Sequence, residues 1–236
     1  MVDVIRRHSP HGHGHGEMPE PELAGRQTAL MIIDMQYHGA SRDHGLIRKR
    51  IADGEGEAVA YVLDRIERVV VPNIQRLRSA FRGAGMELVH VKTQSLTSDG
   101  RDRGPAAKRH GTHVRPGTRT ADILDEIAPL PDEIVISKTC SGVFNCTNAD
   151  YVLRNIGVST LVIGGMVTGS CVDLAARDAS DRGFFVVVVE DATASWSAEM
   201  QAQAIEDLRD RSAKIMTTDQ IVSRIATPAA LAGRTG

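Results

Sequence analysis

The sequence predicts an α/β protein, a three-layer α/β/α sandwich around a six-stranded, mostly parallel sheet. Short continuous apolar runs alternate with segments of helical periodicity along the chain, and no linker-like composition divides it after residue 28. A length of 236 residues and an apolar content of 42% are enough for one domain with a sizeable core. Strands and helices that alternate in this way, joined by right-handed crossovers, are typical of a Rossmann-like sheet.

The strands are predicted from short apolar runs, because a strand buried on both faces of a parallel sheet shows no polar alternation. The first run, Thr28-Ala-Leu-Met-Ile-Ile-Asp34, ends in an acid. The other five predicted strands are Met86–Val91, Glu133–Ile136, Thr160–Ile163, Phe184–Val189 and Lys214–Met216.

The helices are predicted from apolar residues at helical spacing and from the glycine or proline residues that end each pattern. The longest pattern covers residues 56–83, where Pro72 is expected to kink or divide the helix. A polar loop with several basic residues, Thr93–Thr118, follows the second strand. The remaining predicted helices cover residues 120–127, 147–156, 171–182, 198–211 and 218–225.

The composition excludes several classes of protein. A formal net charge of −2 leaves no basic excess for a generic nucleic-acid binder. No apolar run is long enough for a membrane-spanning helix, and no apolar stretch follows Arg6 and Arg7 to form a secretory signal. Three cysteines, an odd count, argue against a disulfide framework. We therefore expect a cytoplasmic protein with reduced thiols.

Residues 1–27 are rich in His, Gly, Pro and Glu and show no periodicity, so we expect a flexible N-terminal arm before a catalytic domain at residues 28–236. The arm contains the run His11-Gly12-His13-Gly14-His15-Gly16. Clustered imidazoles can chelate a divalent metal. The alternative is a mobile arm with incidental histidines, since flexible glycine-spaced residues fix no ligand geometry.

Three polar residues stand where predicted strands end: Asp34 after the first strand, Lys138 after the third, and Cys171 at the start of the helix after the fourth. Ligands of open parallel sheets bind outside the carboxyl ends of the strands, so an acid, a base and a thiol are expected to meet in one crevice. Each residue also has an ordinary interpretation, as a helix cap, a solvated lysine or a buried packing thiol.

The residues Gly164–Ser170 form a glycine-rich segment that leads into Cys171. Backbone N–H groups of such a turn are expected to face whatever Cys171 attacks, which is the arrangement of an oxyanion hole. The helix N-terminus and a nearby ammonium are expected to favour the Cys171 thiolate. A phosphate cradle fits less well, because the segment matches neither a Walker motif nor a dinucleotide fingerprint.

Several motifs resemble those of the isochorismatase-like cysteine hydrolases over residues 28–225. They are Thr28–Gln36, Asp132-Glu-Ile-Val-Ile136 before Lys138, Gly165-Met-Val-Thr168-Gly-Ser-Cys171-Val172 with Ala175, Arg177-Asp178-Ala179 and Gly183 after it, and Glu190-Asp191-Ala192. The resemblance implies a catalytic triad of Asp34, Lys138 and Cys171. It also implies a cis peptide between Met166 and Val167, and an oxyanion hole from the N–H groups of Val167 and Cys171.

Other stretches look like the branch that cleaves ureides and carbamoyl compounds, which includes biuret, triuret and ureidoacrylate hydrolases and N-carbamoyl amino acid amidohydrolases. They are Gln94–Arg103, Lys138–Asn148 and Tyr151–Gly157. The resemblance therefore implies hydrolysis of a C–N bond in a small molecule through a thioester, without a cofactor and in a homo-oligomer, a dimer or tetramer. The candidate substrate contacts, each with capping or turn roles as the alternative, are Gln94, Arg101, Phe144, Asn145 and Asn148.

Three alternatives remain open at this point. Nicotinamidases of the family bind a metal near the second strand, but His90–Gly100 lacks that Asp and His set, so no metal site is expected, and His110 and His113 are weak candidates. Isochorismate hydrolysis needs no cysteine nucleophile, which Cys171 argues against. A non-catalytic binding protein on the same fold is the third. Cys140 and Cys146 are interpreted as packing residues.

Overall fold

A computed structural model describes residues 16–23 and 25–226. The six strands are β1 (Thr28–Ile33), β2 (Glu87–Thr93), β3 (Ile134–Lys138), β4 (Thr160–Met166), β5 (Phe185–Ala194) and β6 (Lys214–Met216). The α-helices are α1 (Tyr37–Ala40), α2 (Gly45–Ala52), α3 (Gly56–Arg65), α4 (Val71–Gly83), α5 (Pro105–Arg109), α6 (Ala149–Asn155), α7 (Asp173–Asp181), α8 (Ala198–Leu208) and α9 (Thr218–Ala226).

The six strands form one sheet in the order β3-β2-β1-β4-β5-β6, and every neighbouring pair is parallel. The chain moves outward from β1 to β3, returns to the other side of β1 with β4, and then moves outward again. The predicted sheet is confirmed, and it is parallel throughout. Its direction reverses between β1 and β4, and at such a reversal ligands are expected to bind outside the carboxyl ends of the strands.

Two hydrophobic clusters fill the space between the sheet and its two helical layers. Successive residues of β1 enter opposite clusters, Leu30 and Ile32 on one side and Met31 and Ile33 on the other. All six residues of β1 are buried, which explains the continuous apolar run that predicted it. The first cluster includes side chains of α3, α4 and α9, and the second includes side chains of α6, α7 and α8.

The long helical pattern at residues 56–83 contains the predicted irregularity. Between α3 and α4 the chain makes a π-helical turn, Ile66–Val70, so that the Val71 N–H bonds to the carbonyl of Ile66. Pro72 lies in the first turn of α4. A proline has no N–H and its ring crowds the carbonyl four residues earlier, so a wider turn before it removes the conflict.

Three sequence-based assignments were wrong. Residues 120–127 form two single 3₁₀ turns, Arg119–Ala121 and Asp125–Ile127, rather than a helix. Gly164–Met166 continue β4, and the predicted turn begins only after them. The loop after β2 contains the short helix α5, whose polar residues gave no helical periodicity.

The described part of the predicted arm contacts the domain. Lys214 of β6 pairs with Glu17 and Glu20 at 3.0 and 3.3 Å, and the Met18 N–H donates to Asp210. Residues 1–15, with the His-Gly run, lie outside the described residues. No helix among the described residues is both long enough and apolar enough to span a membrane.

Candidate active site

Asp34 lies directly after β1, at the centre of the sheet. Its φ is +54°, a left-handed conformation that aspartate tolerates better than most residues. Its N–H donates to the carbonyl of Val91 in β2 at 2.9 Å, which holds this turn against the neighbouring strand. The side chain keeps 13% of its surface exposed. Asp34 is therefore a fixed carboxylate with limited access to solvent.

Lys138 is the last residue of β3, and its side chain is completely buried. Its Nζ lies 2.8 Å from Oδ2 of Asp34, so the side chain reaches across the end of β2 to the centre of the sheet. The ammonium also donates to the Thr93 hydroxyl at 2.8 Å, to the Cys140 carbonyl at 3.2 Å and to the Cys171 sulfur at 3.5 Å. These partners satisfy a buried charge that would otherwise be strongly unfavourable.

Cys171 lies in a π-helical turn, Thr168–Val172, that runs directly into α7. The peptide bond before this turn, between Met166 and Val167, is cis, as expected. Gly165 is required by the approach of β4 to β1: its φ is +116°, and a Cβ there would lie 2.1 Å from the carbonyl oxygen of Ile33. The absence of that side chain lets the two strand ends meet, which brings Cys171 to Asp34.

The resting state of the thiol differs from the expectation. Burial and the Asp34 carboxylate raise the pKa of Cys171 to about 12, although the Lys138 ammonium acts in the opposite direction. The direction of this shift is opposite to the expectation that the helix N-terminus and the ammonium favour the thiolate, and the site favours the protonated thiol. Burial is the largest single influence on Lys138 and would lower its pKa, but the charges of Asp34 and Cys171 and the hydrogen bonds to them together outweigh it, so the pKa is raised.

Sequence reasoning missed two residues that hold the site together. The Thr93 hydroxyl donates to Oδ1 of Asp34 at 3.0 Å and accepts the bond from Lys138, so it bridges the acid and the base. The buried Gln36 side chain donates to the carbonyls of Thr93 and Ala121 and accepts from the Thr93 N–H at 2.7 Å. Thr93 ends β2, so the reasoning that selected Asp34 and Lys138 also applied to it.

Two of the five predicted substrate contacts have their recorded partners outside the triad. Phe144 is 7% exposed and packs in the second hydrophobic cluster against Phe184, with ring centroids 6.0 Å apart. Arg101 is exposed and pairs with Asp99 at 3.1 Å. Phe144 therefore packs in the core, Arg101 makes no recorded contact with the three site residues, and the roles of both in substrate binding stay predictions.

The other three predicted contacts are polar residues on the loops after β2 and β3. The Gln94 N–H donates to the carbonyl of Lys138 at 3.0 Å, which fixes this residue beside the site. Asn145 and Asn148 are exposed on the segment between β3 and α6. The structure records no contact from these three side chains to Asp34, Lys138 or Cys171, and their role in binding stays a prediction.

The remaining thiols and histidines lie outside the triad. Cys140 and Cys146 are partly exposed free thiols on the turn after β3, and neither lies in a hydrophobic cluster, so the packing interpretation does not describe them. His113 is 3.3 Å from the Ser95 hydroxyl, and His110 is exposed. Within residues 16–23 and 25–226, no three His, Cys, Asp or Glu side chains are grouped closely enough to hold a metal ion.

A buried polar network supports the turn that carries Cys171. The Thr168 hydroxyl donates to the side chain of Gln201 in α8 at 2.7 Å, and Gln201 donates to the Thr193 hydroxyl at 3.0 Å. All three residues are buried: Thr168 and Thr193 are 0% exposed, and Gln201 is 6% exposed. The network therefore ties the start of the π-helical turn to α8 and to the end of β5.

The chain is similar in sequence to a known domain family and to known enzymes. The isochorismatase domain family matches residues 28–220, a range that begins at the first residue of β1 and includes Asp34, Lys138 and Cys171. The chain is 31% identical over 193 residues to the ureidoacrylate amidohydrolase of Rhizobium rhizogenes, and the match covers 74% of each chain.

Two further comparisons agree with this match. The ureidoacrylate amidohydrolase of Pantoea ananatis is 31% identical over 223 residues, covering 85% of this chain and 84% of that protein. Among solved structures, an isochorismatase family protein from Desulfovibrio vulgaris superposes with a TM-score of 0.68 at 28% identity. That superposition covers 86% of this chain and 100% of the other.

Proposed function

The chain belongs to the isochorismatase family and is a hydrolase of non-peptide C–N bonds, and on that premise we propose that it cleaves a small ureide or carbamoyl compound with Cys171 as nucleophile. The observation that carries the proposal is the contact of Lys138 with both Asp34 and Cys171, at 2.8 and 3.5 Å. An acid, an ammonium and a thiol in mutual contact are the groups that acyl transfer to a cysteine requires.

In the first step, the Cys171 sulfur attacks the substrate carbonyl and the thiol proton passes to Asp34. Because the pKa of Cys171 is raised to about 12, the proton leaves only as the S–C bond forms. Lys138 holds the Asp34 carboxylate in place and compensates the negative charge that develops on the sulfur. The backbone N–H groups of Val167 and Cys171 are the proposed donors to the oxyanion.

The tetrahedral intermediate then collapses. The C–N bond breaks, and the leaving nitrogen takes the proton from Asp34 and departs as an amine or ammonia, leaving a thioester on Cys171. A water molecule, deprotonated by Asp34, attacks that thioester; the S–C bond breaks and the proton returns to the sulfur. Each proton that Asp34 accepts is passed on, first to the leaving nitrogen and then to the sulfur, and no step uses a metal or cofactor.

The substrate class is supported by the named relatives and by the polar surroundings of the site. The two ureidoacrylate amidohydrolases act on a ureide, as their names state. Gln94, Asn145 and Asn148 carry amide groups on the segments that follow β2 and β3, and amides match the donor and acceptor edges of a urea. A substrate that lacks those edges would leave these groups unpaired, which is a source of selectivity.

The test is ammonia release from a panel of biuret, triuret, ureidoacrylate and N-carbamoyl amino acids, with nicotinamide assayed in the same way. Isochorismate is assayed by cleavage of its vinyl ether, which releases no ammonia. We expect turnover of at least one ureide, and a fall in kcat/KM of about a thousandfold or more in Cys171→Ala. Cys146→Ala, which removes a thiol outside the triad, should keep the wild-type rate under reducing conditions. Turnover of nicotinamide or isochorismate alone would contradict the proposed substrate class, and binding without turnover would contradict catalysis.

We further propose a homo-oligomer in the cytoplasm, with residues 28–236 as the catalytic domain and residues 1–27 as an arm outside the chemistry. The triad is formed within one chain, so the arm supplies none of its three residues. Treatment with a chelator should therefore leave turnover unchanged. Loss of activity on chelation, with recovery on addition of one metal, would contradict this division of roles.

A further inference from the structure

Two thiols outside the triad lie against each other on the turn after β3. The sulfur of Cys140 is 3.5 Å from the carbonyl oxygen of Gly142, and the sulfur of Cys146 is 3.2 Å from the same oxygen. A shared acceptor places the two sulfur atoms close together. A hydrogen bond with Cys146 also contributes, after burial, to the raised pKa of Cys140, which is a second sign of their contact.

The turn is accessible to small reagents. Cys140 and Cys146 are both free and partly exposed, and the neighbouring Ser141 and Asn145 are exposed. Cys171 is also partly exposed, but its sulfur lies against the ammonium of Lys138. The pair can therefore meet an oxidant from solvent, and oxidation at Cys171 has to be measured separately from oxidation of the pair.

We propose that Cys140 and Cys146 form a redox modification site, a pair that a hydroperoxide converts into an intramolecular disulfide. One thiol is oxidised to a sulfenic acid as the O–O bond of the peroxide breaks, and the peroxide is reduced to an alcohol or water. The second sulfur then forms the S–S bond and displaces the hydroxyl as water, with the second thiol proton. Two thiols lose two electrons and two protons, and one hydroperoxide accepts them.

The disulfide would act on the catalytic site through the chain of Cys140. Lys138 donates to the Cys140 carbonyl at 3.2 Å, so this carbonyl is one of the groups that hold the ammonium between Asp34 and Cys171. The same turn carries Asn145, whose amide nitrogen would lie 2.9 Å from a Cβ placed on Gly142. Closing a bond across this tightly packed turn requires it to shift, and the shift reaches Lys138.

The first experiment detects the bond without reference to activity. Full-length Cys171→Ala protein is treated with hydrogen peroxide, digested without reduction and analysed by mass spectrometry. We expect a peptide, or peptide pair, that joins Cys140 to Cys146 with the loss of two hydrogens, reversed by dithiothreitol and absent from Cys146→Ser. Persistence of both free thiols, or oxidation of each to a separate sulfinic acid, would overturn the proposal.

The second experiment measures the consequence, and its activity readout rests on the proposed function. With the native Cys171 present, peroxide should lower kcat/KM for the best ureide by about tenfold to a hundredfold, the range for a small displacement of a catalytic group. Cys146→Ser should have normal activity when reduced and should resist this loss. Equal inactivation of both proteins, or a disulfide from Cys140 to Cys171, would overturn the regulatory role. Absence of turnover in both reduced proteins would count against the proposed function, while the disulfide is still judged by mass.

Discussion

Asp34 has two opposing effects on Cys171 at the scale of single residues. Its carboxylate accepts the thiol proton in the proposed mechanism, yet the same negative charge, together with burial, raises the pKa of Cys171 to about 12. Lys138 contacts both groups and moderates this effect, because its ammonium lies 2.8 Å from the carboxylate and 3.5 Å from the sulfur. In the resting site the proton is therefore favoured on the Cys171 sulfur, and in the proposed mechanism it moves to Asp34 when the sulfur attacks the substrate.

This arrangement predicts that Asp34→Asn changes two rates in opposite directions: alkylation of Cys171 becomes faster, and hydrolysis of the substrate is lost. The variant removes a negative charge beside Cys171, so the pKa of the thiol falls and alkylation by iodoacetamide at fixed pH becomes faster by about tenfold or more. Hydrolysis is lost, because the amide cannot accept the thiol proton. The measurement is the alkylation rate of Cys171, followed by peptide mass spectrometry, beside ammonia release.

Asp99→Asn is the matched control, since Asp99 is an exposed carboxylate that pairs with Arg101 outside the triad. It should change neither rate. If Asp34→Asn slowed alkylation of Cys171, the charge account of the site would be incorrect.

The site residues differ in how far the sequence could predict them. Asp34, Lys138 and Cys171 were expected to meet because each stands at a strand end, and the structure brings them together. The packing of Phe144 against Phe184 was not predictable, because a single sequence does not show whether an aromatic residue near a site faces the substrate or the core. The resting thiol of Cys171 was missed because burial and the charge of Asp34 depend on three-dimensional contacts.

At the scale of elements, the turn that carries Cys171 depends on α8. Gln201 is the only side chain of α8 that the structure records bonded to both Thr168 and Thr193 among the described residues. Gln201→Ala would leave the buried Thr168 hydroxyl without its recorded partner and the Thr193 hydroxyl with only the Glu190 carbonyl, so we expect a loss of about 2 kcal/mol in the free energy of unfolding and a lower kcat. Urea denaturation and ammonia release measure the two effects.

A second glutamine of α8 provides the control for that prediction. Gln203 is exposed and bonds to Asp207 one turn later at 2.9 Å. Gln203→Ala should change the free energy of unfolding by less than about 0.5 kcal/mol, as is usual for surface positions. Equal effects of the two substitutions would mean that the network does not support the turn.

Strand β2 carries a buried histidine that makes stability depend on pH. His90 is 1% exposed and faces Glu133, Arg78 and Arg82. Burial and the charge of Arg78 lower the pKa of His90 from 6.5 to about 4. Between these values the unfolded chain binds a proton that the folded chain does not, so stability falls as the pH drops from about 6.5 to about 4.

The expected loss is about 3 kcal/mol at most, and His90→Leu should remove this part of the pH dependence. The measurement is the free energy of unfolding in urea at about pH 7.5 and about pH 4.5, for both proteins. His90→Gln provides a polar variant of similar size that does not titrate. A wild-type slope in both variants would show that other groups cause the acid instability.

The element predictions failed where local signals and tertiary contacts disagree. Gly164 and Gly165 were assigned to a turn because glycine is usual there, but β4 uses Gly165 to pass close to Ile33. Residues 120–127 have apolar side chains at helical spacing, but the chain makes two single 3₁₀ turns there. The carbonyl of Ala121 accepts a hydrogen bond from the buried Gln36 side chain instead of from a helical N–H. Fully buried strands such as β1 were predicted, because their apolar residues form an uninterrupted run in the sequence.

At the scale of the whole molecule, topology brings the triad together. Residues 34, 138 and 171 are far apart in the sequence, and they meet because β1, β3 and β4 end at the same edge of one sheet. In a parallel sheet β4 could pair with β1 or with β3. The general rules for parallel sheets give the observed strand order only when β4 pairs with β1. Local sequence patterns do not show which of these two strands β4 joins, and this pairing decides where the strand order reverses.

The central claim is that Cys171 carries the acyl group during turnover. It is tested by mixing the enzyme with the ureide that releases ammonia fastest, quenching in acid within the first turnover, and mapping the added mass by peptide mass spectrometry. The account predicts an acyl adduct on Cys171 that forms before ammonia release reaches its steady rate and disappears when the substrate is consumed. Turnover with no adduct on Cys171, or an adduct on Cys140 or Cys146 instead, would contradict it.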